Sequence, residues 1–163
     1  MDGLSKATFA AGCFWGVENY FRKEFKDSIK SMQVGYTGGA VPEPSYEQVC
    51  SGRTGHAEAV EMVFDPKQVG YGQLVEYLFR IHDPTTKDRQ GNDRGTQYRS
   101  AIFYHDDEQR QVAEATKQKV QPRFKSPIVT EIVPAGKFWS AEEYHQKYLI
   151  KNPGGYCNHR MQW

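Results

Sequence analysis

No run of 18 or more apolar residues occurs in this chain of 163 amino acids, so no segment qualifies as a transmembrane helix. Charge of one sign is missing too. The 21 Lys and Arg residues nearly cancel the 20 Asp and Glu, leaving +1 and none of the basic bias that a nucleic-acid or anionic-membrane partner selects. The opening Met1-Asp2-Gly3-Leu4-Ser5-Lys6 lacks the apolar core of a signal peptide. Cysteine is scarce. Cys13, Cys50 and Cys157 are odd in number and show no CxxC spacing, which excludes a disulfide framework and argues against a zinc site. Such usage fits a reducing compartment, so a cytoplasmic location is expected. The five histidines show no HExxH pattern, and neither a metal nor an organic cofactor is expected. Internal repeats and low-complexity linkers are absent as well, and the length fits one domain able to bury a sizeable core.

What is present reads as alternating strands and helices. Ala7–Ala11 is small, apolar and strand-like, and a helix follows at about 13–25 with Phe14, Val17, Phe21 and Phe25 at helical spacing. A strand is predicted near Ser31–Tyr36, a turn-rich loop over Thr37–Pro44 and a short helical turn over Ser45–Cys50. His56–Phe64 reads as a strand and Tyr71–His82 as a helix. The polar stretch Asp83–Thr96 is longer than loops without structure of their own usually are. Tyr98–Tyr104 is a predicted strand, Asp106 caps a helix over Asp107–Val120, and Ile128–Pro134 is another strand. Ser140-Ala141-Glu142-Glu143 has the pattern of a capping box and predicts a last helix to about Ile150, followed by an irregular tail over Asn152–Trp163. Two β-α-β units in this order predict an α+β two-layer sandwich with a ferredoxin-like core: a mixed sheet with helices on one face.

Gly12-Cys13-Phe14-Trp15-Gly16 carries the strongest chemical signal. Cys13 falls at a strand-to-helix turn, in the first turn of the helix, where free N–H groups and the helix dipole favour a thiolate. A buried, inert cysteine is the competing reading. Along the strand 56–64, Glu58, Val60, Met62 and Phe64 share one face, while Ala57, Ala59, Glu61 and Val63 share the other. If the first face is buried, Glu58 lies at the rim of an apolar surface, its pKa rises, and it becomes a proton donor. Otherwise it ends the strand in water. Tyr46 and Tyr98 flank the polar loops and carry hydroxyls able to donate to a bound oxygen. Asp93 sits in Gly91-Asn92-Asp93-Arg94-Gly95. Cys157 follows Gly154-Gly155-Tyr156 near the end, the arrangement a resolving cysteine needs, whereas Cys50 reads as structural.

These segments resemble the type A peptide methionine sulfoxide reductases. The similarity runs through Gly12–Gly16, Gly35–Gly39, Tyr46 with Cys50-Ser51-Gly52, and Thr54–Val60. It continues through His82-Asp83-Pro84, Gln90–Ser100, His145, Tyr148, Asn152-Pro153 and Gly155-Tyr156-Cys157. So many ordered motifs, spanning nearly the whole chain, are far more specific than one pentapeptide.

The resemblance implies that Cys13 attacks the sulfoxide sulfur, Glu58 protonates the oxygen, and Tyr46 and Tyr98 hydrogen-bond it. Phe14 and Trp15 would hold the methyl group, with His145 and Tyr148 beside them, while Asp93 positions a water and the polar half of the site. It further implies the S epimer of methionine sulfoxide as substrate, free or in proteins. A Cys13 sulfenic acid would condense with Cys157, and thioredoxin would reduce the resulting disulfide. Residues 1–163 would form one catalytic domain, with 152–163 a mobile tail that carries the resolving cysteine. A monomer is expected.

The chemistry makes sense on its own terms. The departing oxygen is basic and needs an acid, the developing charge needs donors, and an exposed sulfenic acid needs a second thiol. Many relatives carry a longer tail with a further recycling cysteine. Here only Asn158–Trp163 follow Cys157, so a two-cysteine cycle is expected, with glutathione or glutaredoxin as the alternative reductant. Two other classes make different demands. A cysteine hydrolase needs a base such as His56 or His145 within reach of Cys13, and a binding module needs only the aromatic pocket.

Overall fold

The first strand, β1 (Ser5–Ala11), runs through the middle of the sheet, and the chain turns out of it at Gly12. Gly12 has φ +87, and a Cβ there would come within 2.6 Å of the Gln90 Cβ, so only glycine fits. The structure, a computed structural model, describes residues 3–152, 155, 159 and 161–163. After β1 come α1 (Phe14–Glu24), β2 (Ile29–Thr37), α2 (Tyr46–Cys50), β3 (Ala57–Phe64) and α3 (Tyr71–Ile81). A small ribbon, β4 (Arg89–Gln90) and β5 (Asp93–Arg94), precedes β6 (Ser100–Tyr104) and α4 (Asp107–Val120). The chain continues with β7 (Glu131–Pro134), β8 (Trp139–Ser140) and α5 (Tyr148–Lys151).

The six-stranded sheet has the order β7-β6-β1-β3-β2-β8. Its four central strands pair antiparallel, β6 with β1, β1 with β3 and β3 with β2. That is the ferredoxin-like order expected from two interleaved β-α-β units, and the sheet is mixed because β7 joins β6 in parallel. α1, α3 and α4 contribute Phe14, Phe21, Leu74, Leu78 and Ala113 to one core with Phe9, Val60, Met62 and Ile102 of the strands. Phe9 is fully buried, 5.7 Å from the Phe21 ring and 6.0 Å from Tyr71.

β3 is buried on both faces, which is why its parity left the core face open. Val60, Met62 and Phe64 meet the helices, while Ala57 and Ala59 join Ala10, Ala101 and Phe103 in a second cluster on the other side. The small side chains there let Phe138 and Trp139 cross closely. A Cβ on Gly35 would lie 2.2 Å from the Trp139 carbonyl oxygen.

Three local expectations are corrected. The predicted helix from Ser140 to Ile150 does not form. Ser140 belongs to β8, Glu143–His145 is one 3-10 turn, and only Tyr148–Lys151 is α-helical. Bonds to β2 win over the capping box. The Ala141 N–H donates to the Val34 carbonyl at 2.9 Å, and the Gln146 amide both accepts from Val34 N–H and donates to its carbonyl. Ser140 Oγ donates to Gln33 Oε1 instead of capping a helix. Tyr98 closes a 3-10 turn (Thr96–Tyr98) rather than opening a strand, and β7 starts at Glu131 rather than Ile128.

Candidate active site

Cys13 is the N-cap residue of α1, one position ahead of the first turn, and its side chain makes no capping bond. It is only 6% exposed. Burial pushes its thiol pKa well above the ordinary value, and the Glu58 charge adds to this. The Trp15 and Gly16 N–H groups favour the thiolate but do not outweigh desolvation. The dipole expectation is therefore reversed. A helix N-terminus supplies up to about 2 kcal/mol, whereas full burial moves a pKa by as much as about 3–5 units.

Glu58 projects from β3 opposite Tyr36 of β2 and is 1% exposed. It sits inside the apolar face rather than at its rim. Its Oε1 accepts the Phe14 N–H at 3.2 Å, which ties β3 to the residue after Cys13. Its Oε2 is buried with no hydrogen-bond partner among the described residues. Burial raises its pKa to about 8, the Phe14 N–H pulls it back, and Asp93 pushes it further up. At pH 7 the carboxyl is therefore mostly protonated, which relieves the electrostatic part of the pressure on Cys13. Glu61, on the other strand face, is half-buried and accepts from Gln33 at 3.2 Å.

The phenols come from two other elements. Tyr46 is the first residue of α2, where Ser45 forms a complete capping box with Gln48. Its N–H donates to Glu142 Oε2, and its ring lies 4.3 Å from His145 and 6.3 Å from Phe14. Tyr98 follows the β4–β5 ribbon. Burial, then the nearby Glu58 charge, drives both phenol pKa values far up, so both hydroxyls keep their protons. Cys50, read from the sequence as structural, lies near both phenols, and burial raises its thiol pKa while the two hydroxyls pull it back. Asp93 is half-buried in β5, and its charge reaches Glu58, Cys13 and Tyr98.

The apolar wall is continuous. Phe14 is fully buried, 5.8 Å from Tyr36 and 5.4 Å from His145. Trp15 stacks on Tyr148 at 3.9 Å, and its indole N–H donates to His145 Nδ1 at 3.1 Å. His145 must then carry its proton on Nε2, which is buried with no partner among the described residues. Tyr36 Oη donates to Glu142 Oε1 at 2.9 Å. Glu142 thus fastens β2 and α2 together behind the pocket, a role that no sequence pattern signalled. His56 cannot serve as a base for Cys13. Its Nδ1 accepts the Gly39 N–H, so its Nε2–H donates to the Val41 carbonyl at 2.7 Å. Cys157 lies outside the described residues.

A ferredoxin-like sandwich that presents a buried thiol beside a neutral carboxylic acid and two phenols defines a thiol-chemistry site without a histidine base. Residues 5–163 match the family described as peptide methionine sulfoxide reductase. The chain is 57% identical over 159 residues to the peptide methionine sulfoxide reductase MsrA of Methanothermobacter thermautotrophicus, covering 96% of this chain and 93% of that one. It is 52% identical to the Geobacter metallireducens MsrA, covering 95% and 96%. Among solved structures, Saccharomyces cerevisiae Mxr1 in reduced form superposes with a TM-score of 0.93 at 42% identity, covering 98% and 92% of the two chains. Methionine sulfoxide reductase A of Corynebacterium diphtheriae gives 0.85 at 40%, covering 96% and 79%. Mxr1 in complex with Trx2 gives 0.69 at 30%, covering 98% and 90%. The chain belongs to the peptide methionine sulfoxide reductase family, type A, and is an oxidoreductase. No described helix is long and apolar enough to cross a membrane.

Proposed function

We propose that this chain reduces the S epimer of methionine sulfoxide, free or in proteins, to methionine, with Cys13 as nucleophile and Glu58 as acid. The observation that carries this reading is the buried Glu58 carboxyl, held neutral and bonded to the N–H of the residue after Cys13. Cys13 sulfur attacks the sulfoxide sulfur while the Glu58 proton goes to the oxygen and the thiol proton returns to Glu58. Transfer of the hydroxyl releases methionine and leaves Cys13 as a sulfenic acid. Tyr46 and Tyr98 donate to the oxygen, Phe14, Trp15 and Tyr148 enclose the methyl group with His145 behind them, and Asp93 orders the polar side. Cys157 then attacks the sulfenic acid, water leaves, and a Cys13–Cys157 disulfide forms. Thioredoxin reduces it, a reading supported by the neighbour solved with Trx2.

Residues 1–163 work as one catalytic domain, since the helices and strands share one core, and the tail from 152 carries Cys157. The scarce, odd-numbered cysteines suit a reducing compartment such as the cytoplasm. Mass spectrometry under single-turnover conditions tests the reading. Reduced protein given methionine sulfoxide without a reductant should release one methionine and lose two hydrogens. Cys13→Ser should do neither while keeping its fold, and near-normal turnover by that variant would end the proposal.

A further inference from the structure

The short segment after Cys157 is not loose along its described length. His159 is 6% exposed, and its Nε2–H donates to the carbonyl of Ala11, two residues before Cys13, at 2.5 Å. Its own carbonyl accepts from Tyr20 Oη of α1 at 3.1 Å. A Cβ on Gly12 would sit 3.5 Å from the His159 Nε2. Further on, Gln162 N–H donates to the Arg80 carbonyl, and Arg80 donates back to the Trp163 carbonyl. Upstream, the Gly155 N–H donates to the Asn152 carbonyl.

From this placement we propose that His159 is a positioning residue for disulfide formation, a latch that fastens the tail to the strand end carrying the nucleophile. The proposal rests on the reading of Cys157 as the resolving thiol. Two steps of chain span at most about 7 Å, and His159 lies two positions after Cys157 just as Ala11 lies two positions before Cys13. A disulfide needs the two Cα atoms about 4.4–6.8 Å apart. The Ala11–His159 bond therefore joins the two cysteines through short tethers on both sides. With the latch, three residues lie between the anchors Gly155 and His159. Without it, six lie between Gly155 and Gln162. Doubling a free loop lowers its closure probability about threefold, and loss of orientation adds to that. The latch suits an apolar site. Burial lowers the His159 pKa, so the imidazole stays neutral and its Nε2–H remains a donor without placing a charge beside Cys13.

The step affected is Cys13–SOH plus Cys157–SH giving Cys13–S–S–Cys157 plus water. Attack on the sulfoxide precedes it and does not use His159. In rapid-quench experiments on the full chain, His159→Ala should release methionine at the wild-type rate in the first turnover. Its disulfide should form at least about threefold more slowly, with a matching gain in dimedone-trapped sulfenic acid. His159→Gln, whose amide nitrogen can occupy the place of Nε2, should restore the rate, an outcome that a merely space-filling role would not give. Wild-type disulfide kinetics in His159→Ala, with the disulfide still absent in Cys157→Ser, would overturn the latch and leave the resolving role standing. A wild-type cycle in Cys157→Ser would overturn both. If His159→Ala does not fold, failure of His159→Gln to form the disulfide at the normal rate, with its melting temperature unchanged, would overturn the latch.

Discussion

At neutral pH both Cys13 and Glu58 are protonated, which separates this site from those that store a ready thiolate. Burial holds the thiol up and sets the carboxyl near pH 8. In the proposed reaction a substrate that displaces water and offers a basic oxygen would draw on both protons in turn. The Cys13 thiol of the substrate-free protein should therefore alkylate slowly with iodoacetamide at pH 7, and its ultraviolet thiolate titration should lie above about 8.5, the ordinary cysteine value. A midpoint below that would restore activation by the helix N-terminus. Glu58→Gln keeps an acceptor for the Phe14 N–H and removes only the proton. The single-turnover rate should fall by about 10²–10⁴, the usual worth of a positioned acid. The wild-type rate should decline as pH rises through about 8, where the carboxyl loses its proton, and that limb should be missing in Glu58→Gln. An unchanged limb would assign it to another group. The alternation of β3 put Glu58 in line with Val60 and Met62, but the same spacing also fitted a carboxylate that ends the strand in water. How deep it lies was not legible, because depth depends on the neighbours Tyr36 and Phe14 that only folding supplies.

At the scale of elements, the site gathers residues from α1, α2, β3 and the β4–β5 ribbon, so the placement of the ribbon matters as much as that of the helices. The loop predicted over Asp83–Thr96 contains the β4–β5 ribbon, and one side chain organises it. Gln90 is 4% exposed, accepts the Asp83 N–H and donates to the Asp83 carbonyl, both at 2.8 Å, and its Cβ packs against Gly12. It thus couples the turn before Cys13 to the ribbon that bears Asp93. Gln90→Ala leaves the Asp83 N–H without its partner and the Asp83 carbonyl with only the longer bond from Thr86 Oγ1 at 3.3 Å, and should cost about 1–3 kcal/mol. The single-turnover rate should drop with it. A lowered melting temperature with an undiminished rate would show that the ribbon does not position the polar side of the site. Helical periodicity marked α1 and α3 because each buries one stripe on the sheet, and the Asp106 cap marked α4. The Ser140–Glu143 pattern pointed to a helix because nothing in it reveals that Gln146 pairs with Val34 like a strand residue, or that Glu142 is taken by Tyr36 and Tyr46. Tyr98 reads as strand by composition but closes a turn that begins at Gly95, where φ is +131.

Across the whole molecule, buried titratable groups of opposite kind set how stability varies with pH. His82 donates from Nδ1–H to the Leu78 carbonyl, and its Nε2 accepts from Ser100 Oγ, both at 2.7 Å. Burial lowers its pKa to about 4, and that of His159 likewise, against an ordinary 6.5. Below pH 6.5 the unfolded chain takes up protons on these histidines that the folded protein refuses, so stability falls as the medium turns acid. Glu58 works the other way. Its folded pKa near 8 exceeds the ordinary 4.5, so the folded protein holds one extra proton and loses stability as pH rises from about 4.5 to 8. Between pH 5 and 6 two histidine protons oppose one carboxyl proton, and these groups make stability climb by about 1.4 kcal/mol per unit. Above pH 6.5 the contribution of these two histidines fades while that of Glu58 continues to pull stability down. Denaturant unfolding of wild type and Glu58→Gln from pH 5 to 8 isolates that carboxyl from every other titrating group. The variant should gain on the wild type by about 1.4 kcal/mol for each unit of pH. Parallel curves would mean that Glu58 titrates alike in folded and unfolded chains, and the neutral acid on which the proposed chemistry depends would be gone.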